Sequence, residues 1–169
     1  MNELEENTEA FNSISCAEDD KDLRLKNRDL IENFHAAMKI AAGSERGIAD
    51  DINDNGLEEY FVGGSYVRKL FIPKDTVIVS QLWNKDRFWI IATGDVSITT
   101  EVGTKRVQGP HTEIPVFGSR VALYTHEDTL WFAITGCESQ NSEDIEKEVI
   151  VYGYDSLVFP WDKIDKIEE

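Results

Sequence analysis

The chain has 169 residues, 41% of them hydrophobic, and a formal net charge of −16. This length and composition fit one globular domain with modest extensions, and no apolar run approaches the roughly 20 residues of a membrane span. The acidic charge disfavours direct nucleic-acid binding, because phosphate contacts need clustered lysines and arginines. The acidic start lacks the basic and apolar regions of a secretory signal, so we expect a cytoplasmic rather than a secreted protein.

The charge is unevenly distributed along the chain. Residues 1–60 contain 16 acidic and 6 basic residues, residues 61–136 contain 7 and 8, and residues 137–169 contain 10 and 3. A near-neutral centre therefore lies between two acidic arms. Charge repulsion that favours solubility explains such arms, and docking to a basic partner is the alternative.

The N-terminal third divides into an arm, a helix and a linker. Residues 1–20 have few apolar side chains and are expected to form an acidic mobile arm. In residues 21–42 apolar side chains recur at helical spacing, which predicts an amphipathic helix. An acidic linker completes the unit 21–60. The apolar stripe of the helix packs either on the domain or on a partner.

Residues 61–136 have the pattern of a β-domain. Short apolar segments alternate with turn signals about every 8–12 residues, which is typical of an antiparallel sandwich or barrel. Segment 88–92 (FWIIA) is apolar on both faces, so it is central or covered by another element, and His126 is placed in a tight hairpin between the last two strands. The predicted strands are 66–72, 76–83, 88–92, 96–100, 105–108, 111–114, 120–125 and 129–135.

Residues 137–169 form a second acidic extension. Ser142 is the predicted cap of a short helix, because Glu143 and Asp144 suit a first helical turn. The apolar side chains that follow, among them Trp161, exceed the needs of the β-domain itself. We therefore expect this extension to pack on the barrel or on a partner.

The order of strands and turns in 66–135 resembles a single cupin or RmlC-like jelly roll. The segment 90-IIATGDVSITTEVGTKRVQGP-110 is similar to the cupin centre, where a Gly-Asp turn precedes a strand. The stretches YVRKLFIPKDTVIV and YTHEDTLW resemble small cupin-like proteins of tailed phages, a group with no established function. The resemblance implies a mainly β protein, a single antiparallel jelly-roll barrel with an N-terminal helix and acidic N- and C-terminal extensions.

The same resemblance bears on metal binding. Cupin enzymes hold a metal ion with a His-x-His motif, a glutamate and a further histidine. The corresponding slot here, 82-LWNKDRFW-89, has no histidine, whereas in the phage proteins its imidazoles fall at the positions of Trp83 and Arg87. Where a cupin enzyme supplies its third histidine, this chain has Arg120. The resemblance thus implies the fold, and we expect no metal ion and no cofactor.

A set of aromatic and basic residues is the candidate ligand-binding site. If the barrel is a cupin, Arg87 and Arg120 lie on adjoining strands near its open end, where two guanidiniums beside aromatic faces would clamp a carboxylate, a phosphate or a sugar. Alternatively the arginines plug the barrel by pairing with Asp86 or Glu113. The candidate residues are Trp83, Arg87, Trp89, Arg120, Tyr124 and His126.

Two functional hypotheses follow. The first is a non-catalytic interaction or structural module, such as a phage virion accessory protein, with protein partners: further copies of itself or other virion proteins, in the host cytoplasm or the virion. The second is a metal-independent protein that binds an anionic or sugar ligand, or an isomerase-like enzyme. The enzyme needs His111 or His126 to point into the barrel beside both Arg87 and Arg120, since acid–base chemistry requires such a group.

Overall fold

The computed structural model describes residues 3–17, 20–42 and 56–157. Most of the predicted linker lies outside the described residues, and so does the end of the C-terminal extension with Trp161. The helices in the described ranges are α1 (Glu3–Phe11), α2 (Lys21–Ala42) and α3 (Ser142–Val149), followed by a 3-10 turn at Tyr154–Ser156. None of these described helices combines the length and the apolar character needed to cross a lipid bilayer.

The strands form antiparallel sheets, as the sequence predicts. The five-stranded sheet has the order β1-β2-β10-β5-β8, the four-stranded sheet has the order β3-β9-β6-β7, and β11 pairs with β4. Within the described residues these sheets stay separate and do not close into the expected barrel. The strands are β1 (Leu57–Val62), β2 (Ser65–Ile72), β3 (Val77–Val79), β4 (Leu82–Trp83), β5 (Phe88–Thr93), β6 (Asp95–Thr100), β7 (Gly103–Gln108), β8 (His111–Glu113), β9 (Ala122–Thr125), β10 (Thr129–Gly136) and β11 (Ile150–Val151).

One apolar core lies between the two larger sheets. Because side chains alternate between the faces of a strand, every second residue of each central strand enters this interior. Strand β10 is the clearest case, with buried and partly buried residues in strict alternation along most of its length. The core residues are Ile72, Ile78, Trp89, Ile91, Val96, Ile98, Val121, Leu123, Trp131 and Ala133.

Helix α2 covers the outer side of the four-stranded sheet, and its bounds confirm the prediction of a helix over 21–42. Its buried Ile31 and Phe34 pack on Val79 and Ala122, which point away from the main core. The apolar stripe thus packs on the domain rather than on a partner. The ring of Phe11 from α1 stacks on Phe34 with a centroid distance of 4.4 Å.

Ion pairs fasten α2 to the sheet. The carboxylate of Glu101, 7% exposed, accepts hydrogen bonds from Arg24 at 3.0 Å and from Arg28 at 2.7 Å. The buried amide of Asn27 donates to the carbonyl oxygens of Ser15 and Glu101. These contacts hold the helix in one position on the outer side of the sheet, because each satisfies a group that would otherwise be buried without a partner.

Two expectations about the N-terminal third are corrected. Residues 57–60, assigned to the linker, belong to β1, which pairs with β2 through a turn at Gly63 and Gly64 with φ of 57° and 76°. Positive φ at both positions matches the twist of a two-residue hairpin. The strand was not predicted because the two glutamates of 57-LEEY-60 give this segment the composition of a linker. Residues 1–20 contain helix α1, whose Phe11 finds in α2 the apolar partner that an isolated arm lacks.

Other differences concern strand ends and turns. The predicted strand 76–83 is split, because Ser80 bonds to Val121 while the next residues leave to pair with β11. His126 lies in the turn between β9 and β10, but these strands belong to different sheets, so the turn is not a hairpin. The N-cap of α3 is Asn141, whose side chain accepts a hydrogen bond from the Asp144 amide, rather than Ser142.

Candidate functional site

The buried Arg87 and the partly buried Arg68 line one end of the space between the sheets. On β2 the alternating residues Ile72, Leu70 and Arg68 follow one another along the inner face, so the row begins apolar and ends with a guanidinium. Two strands away, Ile91 and Trp89 face the same interior, and Arg87 extends their row just before β5 begins. The strand pleat therefore brings Arg68 and Arg87 to the same end of the core.

Arg87 is held by aromatic faces and one carbonyl. Its side chain is buried, and one terminal nitrogen donates to the carbonyl oxygen of Ser119 at 3.1 Å. Its guanidinium carbon lies 5.1 Å from the ring centroid of Trp83 and 5.4 Å from that of Trp89. Cation–π contact in a desolvated place stabilises the charge by about 2 kcal/mol, and it leaves the other guanidinium N–H groups available.

The charge of Arg87 lacks a counter-ion among the described residues. No described carboxylate forms an ion pair with Arg87 or Arg68. Burial and the neighbouring charge of Arg68 lower the pKa of Arg87 to about 9. The Nε of Arg68 is itself buried and has no hydrogen-bond partner among the residues that the structure describes. An unpaired charge and an unsatisfied donor are both costly in an apolar interior, so the end of the core is electrostatically suited to an anion.

The acid nearest to Arg68 in the strand register is already engaged. Glu59 lies opposite Arg68 in the pairing of β1 with β2. Its carboxylate accepts hydrogen bonds from the hydroxyls of Tyr66 and Ser142. Burial raises the pKa of Tyr66, so its hydroxyl keeps its proton and remains a donor to Glu59. Glu59 and Arg68 both line a groove beside α3, but the two side chains do not form an ion pair with each other.

A cavity of about 90 Å³ adjoins the two guanidiniums, and we call this space with its two arginines the arginine cleft. The polar groups around it are Arg68, Arg87, Ser80 and Gln81. Its remaining wall is apolar: Leu70, Ile72, Ile78, Trp83, Trp89, Val121, Leu123, Trp131 and Ala133. The arrangement offers hydrogen-bond donors and positive charge at one end and apolar contact elsewhere.

Arg120, expected to adjoin Arg87, points the other way. It is buried on the α2 side of the four-stranded sheet, where it pairs with Glu32 and donates to the carbonyl oxygen of Ser80 at 2.8 Å. Val121 and Leu123 point into the core, so period-two alternation directs Arg120 outward. Arg120 is therefore not part of the arginine cleft.

Tyr124 and His126 also lie outside the cleft. The Tyr124 hydroxyl donates to Asp75 at 2.7 Å, and the Tyr124 ring meets His126 edge to face at 4.8 Å. The Nε2 of His126 is 2.8 Å from the hydroxyl oxygen of Ser97 on β6. Tyr124 lines a separate groove of about 410 Å³ between α1 and the sheet. Of the six candidate ligand-binding residues, Trp83, Arg87 and Trp89 therefore lie together at the arginine cleft. The other three, Arg120, Tyr124 and His126, lie elsewhere.

Neither the predicted plug nor the predicted acid–base pocket is formed by the described residues. Glu113 pairs with Lys105 and His111, and Asp86 is exposed, so neither neutralises Arg87. His111, beside Glu113, and His126 are absent from the described lining of the arginine cleft. In the described part of the chain no cluster of three or more His, Cys, Asp or Glu side chains is arranged to hold a metal ion.

Arg68 was missed by the sequence analysis. Its signal is its place in 66-YVRKLFI-72, where it shares the odd–even phase of the apolar residues Leu70 and Ile72. A cation in the inward-facing row of a strand needs a partner. Strand phase would therefore have placed Arg68 on the same inner face as Arg87.

Comparison with known proteins does not show a family for this chain. No protein-family model and no curated protein matches the chain. Parts of solved structures are similar to it. A conserved protein of unknown function from Streptococcus pyogenes is 20% identical with a TM-score of 0.40, over 47% of this chain and 69% of that one. KdgF from Halomonas sp. is 12% identical with a TM-score of 0.43, over 54% and 86%.

An RmlC-like cupin family protein with a double-stranded β-helix fold, from Methanocaldococcus jannaschii, is 12% identical with a TM-score of 0.43. The match covers 48% of this chain and 78% of that one. Solved structures similar to the chain thus include cupin and RmlC-like proteins. At these scores the likeness carries no argument about fold or function.

Proposed function

We propose that the chain is a non-catalytic, cupin-like jelly roll that binds a small carboxylate in the arginine cleft. The strand orders support the jelly roll. Apart from β1, β4 and β11, the strands pair first with last and inward, as β2–β10, β3–β9, β5–β8 and β6–β7. A ribbon paired in this way and wrapped into two facing sheets is a jelly roll.

The observation that carries the proposed binding is that neither the buried Arg87 nor the partly buried Arg68 has an acidic partner among the described residues. A bound carboxylate accepts two parallel hydrogen bonds from a guanidinium. It would supply the counter-charge that Arg87 lacks and accept from the Arg68 Nε. Binding therefore removes two unfavourable features of the free protein.

Cavity size and lining narrow the ligand class. A cavity of about 90 Å³ holds only a small molecule, because drug-sized ligands occupy pockets of about 300–1,000 Å³. The apolar wall favours a carboxylate with a short hydrocarbon tail over a sugar, whose hydroxyls need more polar partners than the cleft offers. Acetate, propionate and butyrate are suitable probes.

The interaction hypothesis stays a prediction. A virion accessory role, a host cytoplasmic location and protein partners all remain to be tested, and the detection of this chain in purified particles would test the first directly. The arginine cleft is compatible with that role, since a bound anion can stabilise a structural module without chemistry.

Isothermal titration calorimetry with the three carboxylates at constant ionic strength tests the binding proposal. Arg87→Lys and Arg68→Lys keep the charge but lose the planar fork, so each should weaken binding about tenfold or more. Arg106→Lys is the matched control, because Arg106 pairs with Asp95 on the exposed surface. Absence of binding to the unaltered chain, or equal weakening in the control, would contradict the proposal.

A further inference from the structure

The outer face of the five-stranded sheet is unusually apolar. Because the inward residues of β2, β5 and β10 form the core, the alternate residues project to the opposite side. The apolar residues of this outer face are Tyr60, Val62, Val67, Phe71, Phe88, Ile90, Ala92, Leu130, Phe132 and Ile134. Four of the five strands contribute to this set, which we call the apolar face.

Several of these side chains are strongly exposed. The exposed fractions are 65% for Val62, 46% for Tyr60 and Phe71, and 39% for Phe88. Helices α1 and α2 pack on the four-stranded sheet, and α3 packs at the end of the interior beside Tyr66. Contiguous exposed apolar surface of this kind marks an interaction site more often than isolated exposed residues do.

Charge favours a second copy of the chain over a charged partner. Within the central strands of the apolar face the charged side chain is Lys69, which pairs with Glu58 on β1 at 2.6 Å. The face is therefore nearly neutral, although the chain carries a net charge of −16. A basic partner would find little negative charge on this face, whereas two identical apolar faces are complementary to each other.

The area of the face suits a weak dimer. Four strands about 4.8 Å apart and about seven residues long at about 3.4 Å each give a projected area of about 460 Å². Protruding aromatic side chains add to the accessible area. Stable specific interfaces bury about 800 Å² from each partner, and weaker ones bury less. The face is thus large enough for a reversible dimer and small for a permanent one.

We propose that two copies of this chain associate through their apolar faces around a two-fold axis. The interface buries Val62, Phe71 and Phe88 of both copies. In it the outer face of the five-stranded sheet of one copy packs against the same face of the other copy. This inference is independent of carboxylate binding, because the arginine cleft lies on the inner side of the same sheet. It predicts a monomer–dimer equilibrium that shifts with protein concentration.

Sedimentation velocity of the full chain over a range of concentrations tests the proposal. Val62→Lys and Phe71→Lys each place like charges against each other in the dimer, so both should abolish the concentration-dependent rise in sedimentation coefficient. The matched control is Ile40→Lys, since Ile40 is 69% exposed but lies on α2, away from the face. Circular dichroism verifies that each variant is folded.

The outcomes are distinct. Loss of the dimer in Val62→Lys and Phe71→Lys, but not in Ile40→Lys, supports the apolar face as the interface. A chain that stays monomeric at every concentration overturns the proposal. A dimer that resists both face variants, or that is lost equally in the control, also overturns it.

Discussion

Arg68 lies directly opposite Ala133 in the register of β2 and β10, and the same Ala133 lies opposite Trp89 on β5. The smallest side chain of the inner row therefore separates the guanidinium from the indole. A larger residue at this position would fill the space beside the guanidinium. The arginine cleft thus depends on one alanine as well as on two arginines.

Ala133→Leu should abolish carboxylate binding without unfolding the protein. The added atoms enter the cavity that Ala133 lines, so the free energy of unfolding should fall by at most about 2 kcal/mol. Calorimetric titration with propionate and urea denaturation measure the two effects. Ala92→Leu adds the same atoms on the outer side of the sheet and should leave binding intact. Full binding by Ala133→Leu would show that the ligand does not occupy the cleft.

Arg87→Met should make the free protein more stable at pH 7, by about 1–3 kcal/mol. The variant removes a desolvated charge that has one carbonyl partner and two aromatic contacts, and replacement of buried charge by an apolar side chain is often stabilising. Urea denaturation in buffer without carboxylates measures the difference. A loss of several kcal/mol would instead show that the contacts with Trp83 and Trp89 outweigh the cost of burial.

The gain from Arg87→Met should shrink in alkaline solution. Because the pKa of Arg87 is lowered to about 9 in the folded protein and keeps the much higher value of a free guanidinium in the unfolded chain, the unfolded state binds the extra proton above pH 9. The stability of the unaltered protein relative to the variant then rises by about 1.4 kcal/mol per pH unit. Parallel denaturation of both proteins at pH 7, 9 and 10 tests this, and a constant difference would contradict it.

Period-two alternation explains which site residues the sequence could reveal. Arg87 and Trp89 share the phase of Ile91, and the structure places them in one inward row. Arg120 and Tyr124 share the phase of Ala122, and they lie on the side that faces the helices. Their grouping with Arg87 rested on the position of the strands and ignored this phase. Strand phase, applied residue by residue, would have separated the two sets.

The helices and strands also differ in how well the sequence predicts them. Helix α2 was predictable because its apolar spacing is regular over its whole length. Strand β1 was not, because Glu58 and Glu59 give it the composition of a linker, and only its pairing with β2 makes it a strand. The apolar segment 88–92 predicted a strand that is central or covered, and β5 is central in its sheet, between β10 and β8, while Phe88 on its outer face is exposed. The local sequence pattern predicts secondary-structure elements. Which elements pair or pack with each other depends on contacts between distant parts of the chain.

Glu101→Gln should weaken the attachment of α2 to the sheet. Its carboxylate is buried and bonded by Arg24 and Arg28, which are partly exposed and regain water when the pair is lost. We expect the free energy of unfolding to fall by about 1–3 kcal/mol. Asp95→Asn is the control, because its pair with Arg106 lies on the surface and should contribute little. Equal effects of the two substitutions would contradict a special role for Glu101.

His35→Phe should reduce the sensitivity of the protein to mild acid. His35 is buried, and its Nε2 has no hydrogen-bond partner in the described part of the chain. Burial together with Arg120 and Lys39 lowers the pKa of His35 to about 4. An unfolded histidine titrates near pH 6.5, so between about pH 6.5 and 4 the unfolded state takes up a proton that the folded state refuses. The free energy of unfolding should therefore fall by up to about 3 kcal/mol as the pH drops through this window.

Urea denaturation at pH 7, 5.5 and 4.5 measures this slope in the unaltered protein and in His35→Phe, where it should be much smaller. The His126→Gln variant is the control for removal of a histidine outside the core, because His126 is hydrogen-bonded to Ser97 at the surface of the sheet. Glu148 contributes at lower pH, since hydrogen bonds from Lys85 and Ser139 lower its pKa to about 2. An unchanged slope in His35→Phe would assign the acid sensitivity to carboxylates instead.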